Sequence, residues 1–142
     1  YFGSDWAISA ANKLLENKIL SSETIFQVNY FDQETYEAPS APYVAFTNAS
    51  LEQAGDNYQK FMDFLIADPL CKLGIHIEPI RELLDISTPL NRQSFEYEEK
   101  RGYLKNFMGY LSEQNLEIKV AKDFGIGSSF LSGYQVVVWD RK

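Results

Sequence analysis

The sequence predicts an α+β fold, and three observations carry that prediction. In residues 94–115, Leu104, Phe107, Met108 and Leu111 fall at the i, i+3, i+4, i+7 spacing of one helical face. Two runs of strand length follow directly, residues 116–124 (LEIKVAKDF) and 133–141 (GYQVVVWDR), joined by residues 125–132 (GIGSSFLS), whose glycines suit a reversal. Upstream, helical and alternating segments are interleaved, as one mixed domain requires.

The 142 residues are 45% apolar and 15% aromatic, with 10 Phe and 9 Tyr. That excludes a disordered chain and a disulfide-stapled mini-protein, and the length suits one domain over residues 1–142 with an aromatic core. The single cysteine, Cys71, excludes an internal disulfide and a multi-cysteine metal site. No apolar run approaches the ~18 residues of a spanning helix, and no basic-then-apolar leader opens the sequence. The expectation is a soluble, cytoplasmic or otherwise intracellular protein with no membrane partner.

The net charge of −7 is uneven. Residues 1–50 hold two basic and six acidic residues, residues 51–100 five and ten, and residues 101–142 six and four. An acidic body with a mildly basic C-terminal hairpin is repelled by nucleic acid on average and attracted to basic partners.

Taken in order, residues 5–20 read as a helix with Ser4 as N-cap and Ala7, Ala11, Leu14, Leu15 and Ile19 as its buried stripe. Strands at ETIFQVNYF and PYVAFTN form the expected N-terminal strand pair. Between them, DQETYEAPSAP is too long for a tight hairpin, and presents Asp32, Glu34 and Glu37 beside an exposed Tyr36. Ser50 and Gln53 have capping-box spacing, and Leu51, Ala54, Tyr58, Phe61, Met62 and Leu65 give the helix they open its core face. Asp68-Pro69 ends that helix. KLGIHIE reads as a strand with Leu73, Ile75 and Ile77 facing the core and His76 behind them, satisfied and partly buried. Pro79 then opens a two-turn helix. In the helix over residues 94–115, Gly102 and Gly109 either allow close packing or break it at Gly102.

From residue 50 to residue 140 the expected order is helix, strand, helix, helix and β-hairpin, which resembles a winged-helix body in topology. The N-terminal helix and strand pair would pack upon it. That resemblance implies a DNA-binding alternative, with helix 94–115 in the groove, residues 123–132 as the wing, and Arg92, Lys100, Arg101, Lys105, Lys119 and Lys122 as nucleic-acid contacts. Glu96, Glu98, Glu99 and Glu113 on the same helix oppose it, because they repel phosphate.

No catalytic motif survives its chemical requirements, so no catalytic residue, cofactor or metal ligand is assigned. His76-Ile77-Glu78-Pro79 lacks the downstream C-x-x-C pair of a zinc deaminase. Glu117 and Lys119 have the E-x-K spacing of a metal-dependent nuclease strand, a second alternative, but a helix precedes them where a strand aspartate is needed. The leading expectation is a non-enzymatic binding module of inhibitor, immunity or adaptor type. Its acidic loop, Asp32, Glu34, Tyr36 and Glu37, would contact a basic protein partner.

Overall fold

A βαβ crossover sets the architecture: neighbouring parallel strands need a long connection that returns the chain to the same end, and a helix supplies it. The computed structural model describes residues 2–5, 7–19, 21, 22, 25–127 and 132–142. Its elements are β1 (Gly3–Asp5), α1 (Ile8–Glu16), β2 (Ile25–Gln27), β3 (Tyr43–Asn48), α2 (Tyr58–Ala67), β4 (Cys71–Glu78), α3 (Pro89–Arg101), α4 (Phe107–Glu113), β5 (Leu116–Ile126) and β6 (Tyr134–Arg141). Mixed helix and strand content bears out the α+β class. The main sheet has the order β3-β4-β6-β5, with β3 parallel to β4 and the other pairs antiparallel.

The helical layer covers one face of this sheet. Tyr58, Phe61, Met62 and Leu65 of α2 and Phe107, Tyr110 and Leu111 of α4 are buried in one cluster with Ala45, Cys71, Val137 and Trp139 of the strands. Each large side chain buried there stabilises the fold by roughly 1.5–3 kcal/mol. Gly74 makes room for the largest: a Cβ at this position would overlap the fully buried Trp139 indole. The helix expected from Ser50 onward is divided: Leu51–Asn57 is a 3-10 helix kinked at Gly55 (φ 56°) and α2 begins at Tyr58. The expected core residues Leu51, Ala54, Tyr58, Phe61, Met62 and Leu65 are nevertheless all buried, and Asp68 is the C-cap.

Several expectations are corrected. The helix over residues 94–115 is two helices, α3 and α4, because Gly102 adopts left-handed φ 72° and its amide and that of Tyr103 return to the Glu98 and Glu99 carbonyls. Thr88 caps α3, accepting from the Asn91 amide, with Pro89 behind it. The two-turn helix after Pro79 is a single 3-10 turn, Arg81–Leu83. The expected strands ETIFQVNYF and PYVAFTN do not pair with each other: β2 ends at Gln27 and pairs in parallel with β1, and β3 joins the main sheet beside β4, to which α2 returns the chain. Ser4 lies in β1 rather than capping a helix, α1 starts after Ala7, and Ile19 is 64% exposed. Residues 128–131 of the expected wing lie outside the described residues.

Strand β4 faces opposite to its hydrophobic pattern. Cys71, Gly74, His76 and Glu78 are buried against the helical layer, whereas Leu73, Ile75 and Ile77 are only half-buried on the other face. The register places them beside Val44 and Phe46 of β3 and Val136 and Val138 of β6. The outer face of the sheet is therefore the more continuously aliphatic one.

Candidate functional site

The acidic loop is built by short-range hydrogen bonds that its own sequence supplies. Asn29 and Asp32 form an antiparallel bridge, with the Asp32 amide donating to the Asn29 carbonyl at 2.9 Å. Asn29 Oδ1 accepts from the Phe31 amide at 3.0 Å, and Asp32 Oδ1 accepts from the Glu34 amide at 3.1 Å, an Asx turn that starts the 3-10 turn Gln33–Thr35. The Thr35 hydroxyl donates to the Asp32 carbonyl at 2.7 Å and accepts from the Asn29 amide at 2.9 Å.

Tyr36 anchors this loop to α2. Its ring lies 5.4 Å from both Phe61 and Phe64, and its hydroxyl donates to the Tyr30 carbonyl at 2.7 Å. Tyr36 is therefore half-buried rather than exposed, because its ring completes the aromatic flank of α2; burial, then Asp32, raises its pKa. Tyr30 stacks obliquely on Phe61 at 4.9 Å and its hydroxyl meets Ser50 Oγ at 3.1 Å. Asp32, Glu34 and Glu37 remain exposed, and they are joined by Phe31, 60% exposed, which the sequence reading missed.

A second polar constellation lies inside the core. The Trp139 indole N–H donates to His76 Nε2 at 2.8 Å, which leaves Nδ1 carrying the proton and donating to Thr47 Oγ1 at 2.9 Å. Glu78 is buried on the same face, and Thr47 favours its charged form against the desolvation that raises its pKa. The Glu78 carboxylate accepts from the amides of Ser50, Leu51 and Glu52 at 3.1–3.3 Å. It thereby caps the 3-10 helix Leu51–Asn57, and the Ser50/Gln53 capping box does not form, since the Ser50 hydroxyl is engaged with Tyr30. His76 is fully buried, and burial lowers its pKa to about 3, so it stays neutral. This closed relay holds the sheet to the turn and leaves no nucleophile or base open to solvent.

Above Glu78 sit two more carboxyls. Burial, then Glu78, raises the Glu52 pKa to about 7, against the pull of Arg101. Glu98 is only 4% exposed, its Oε2 has no hydrogen-bond partner among the described residues, and burial raises its pKa to about 7 in spite of Arg81. An open depression of about 320 Å³ nearby is lined by Asp56, Arg81, Glu99, Gly102 and Lys105. Among the described residues no three His, Cys, Asp or Glu side chains are placed to hold a metal ion.

The cations read as nucleic-acid contacts are dispersed. Arg92 and Lys100 are exposed on α3, Arg101 is drawn over Tyr103 with its Cζ 5.6 Å from the ring centroid, and Lys105 lies in the α3–α4 connection. Lys119 is paired with Glu117 at 2.7 Å on β5, and Lys122 lies further along the same strand. Among the described residues no helix is long and apolar enough to cross a membrane. No protein-family model, curated protein or solved structure matches the chain.

Proposed function

We propose that the chain is a non-enzymatic binding module that contacts a basic protein partner through the loop carrying Asp32, Glu34 and Glu37. The observation supporting this reading is preorganisation: the loop is tied to itself and to α2, so presenting its carboxylates and Phe31 costs little ordering entropy on association. Phe31 supplies an exposed aromatic anchor of the kind that dominates interface energetics, and the carboxylates steer the encounter. The test uses fluorescent poly-L-lysine. The triple variant Asp32→Lys, Glu34→Lys, Glu37→Lys should weaken binding at least about tenfold more than a charge-matched control, Glu96→Lys, Glu99→Lys, Glu113→Lys. Equal weakening by the two sets would reduce the interaction to net charge and refute the loop reading.

A winged-helix use of residues 50–140 is the second reading, favoured by the β5–β6 hairpin that follows the helices and pairs with β4. It predicts saturable binding of a generic DNA duplex near ~50 mM salt, with Lys119→Ala and Lys122→Ala each flattening the salt dependence. The leading reading instead expects no duplex binding at micromolar protein, because most of the negative charge lies between residues 28 and 100.

A further inference from the structure

Among the described residues, strand β3 ends the sheet with one side open. The Tyr43 and Ala49 amides donate towards β4, to the Leu70 and Ile77 carbonyls, so by alternation the amides and carbonyls of Val44, Phe46 and Asn48 point to the free edge. The side chains of Val44 and Phe46, 52% and 60% exposed, stand on the outer aliphatic face. Natural edges are blunted by charge, proline or a bulge. The segment YVAFTN has no charge and no proline, and the register irregularity between Tyr43 and Val44 leaves the extra residue on β4.

The surroundings select the occupant. Residues 28–68, which surround β3 in sequence, carry seven acidic residues and one lysine. The acidic loop lies on the β3 side of α2: Tyr30 and Tyr36 meet the Phe61/Phe64 flank, whereas Tyr110 of α4 meets Tyr58 and hydrogen-bonds Asp63 on the opposite flank. A second copy brought to this edge would set like charges against each other.

We propose that β3 is a docking edge for an extended, Lys- or Arg-bearing segment of a partner protein, which adds as a fifth strand to the main sheet. The inference rests on the basic-partner reading above and specifies its geometry. The added strand pairs its backbone with Val44, Phe46 and Asn48. Its outward side chains, every second residue, are apolar and meet Val44 and Phe46; those between them are basic and turn towards the layer of the acidic loop.

The probe is an end-capped peptide of seven residues alternating lysine and valine, compared with the same peptide N-methylated on alternate amides. The wild-type protein should bind the first, with amide exchange at Val44, Phe46 and Asn48 slowed at least about tenfold, and binding should be lost with the methylated peptide. Val44→Pro, which removes an edge amide outside the β3–β4 ladder, should also abolish binding while the fold is retained by near-ultraviolet circular dichroism. Equal binding of both peptides, still lost in the loop triple-lysine variant, would overturn strand addition and leave the acidic-loop reading standing. No binding of either peptide would overturn the docking edge, and the poly-L-lysine comparison would then decide the loop reading by itself. Protection of the same amides by self-association in sedimentation, without peptide, would overturn the choice of occupant in favour of a second copy.

Discussion

Glu98→Gln should stabilise the protein at pH 8 by roughly 1–2 kcal/mol, solvent screening allowed for, and leave its stability near pH 4.5 almost unchanged. Glu98 is buried on α3, its Oε2 lacks a partner among the described residues, and its pKa stands at about 7 against an ordinary 4.5. The folded state therefore holds the proton more tightly than the unfolded chain. The protonated carboxyl's full contribution is present below about pH 4.5, declines as pH rises towards 7 and is gone above it. Arg81 opposes the shift, while Glu52 and Glu82 add to it. Glutamine keeps the shape and carries no charge, so the difference between variant and wild type should grow across that window. Urea unfolding at half-unit pH steps reads it directly, and parallel curves for the two proteins would show that Glu98 does not titrate there. Glu52, half-buried and beside Arg101, should give a smaller, solvent-screened version of the same effect.

Periodicity made the core face of residues 51–65 legible, because Leu51, Ala54, Tyr58, Phe61, Met62 and Leu65 are all buried, but it did not show the kink at Gly55 that leaves the first two on a 3-10 helix ahead of α2. The break at Gly102 was visible as one of two options, and only the packed state selects the left-handed cap. Strand β4 misled for a physical reason. Alternation assigns aliphatic residues to the core, yet the helix-facing side carries His76 and Glu78, whose burial is sustained by Trp139, Thr47 and three amides drawn from distant positions. None of those partners is near in sequence. The same long-range pairing put β3 at the edge of the main sheet rather than beside β2. In the acidic loop, the exposure of Asp32, Glu34 and Glu37 was legible from composition, but Tyr36 turned inward because Phe61 and Phe64 gave it an aromatic surface, leaving Phe31 outside.

The relay makes Glu78 the residue whose loss should cost most. Glu78→Ala removes the acceptor for the Ser50, Leu51 and Glu52 amides in one step, at a site where the carboxylate itself is fully buried. A buried donor left without a partner costs about 1–3 kcal/mol, and several are orphaned here; relief from burying the carboxylate, which raises its pKa, returns part of that. The expected net loss is about 4 kcal/mol in urea unfolding, with the 50–52 amides exchanging faster than the β6 amides in the same protein. Glu78→Gln keeps the volume and one acceptor oxygen but turns an NH₂ towards N–H donors, so it should fall between wild type and alanine. A loss below about 1 kcal/mol for Glu78→Ala would mean that water replaces the carboxylate at the turn. Because Ser50 also holds Tyr30, and Tyr30 holds Tyr36, loosening the 50–52 turn should weaken poly-L-lysine binding as well as stability, without changing any charge in the acidic loop. That coupling would place the buried carboxylate and the exposed ones in one mechanical unit, in which the core fixes the geometry that the loop presents.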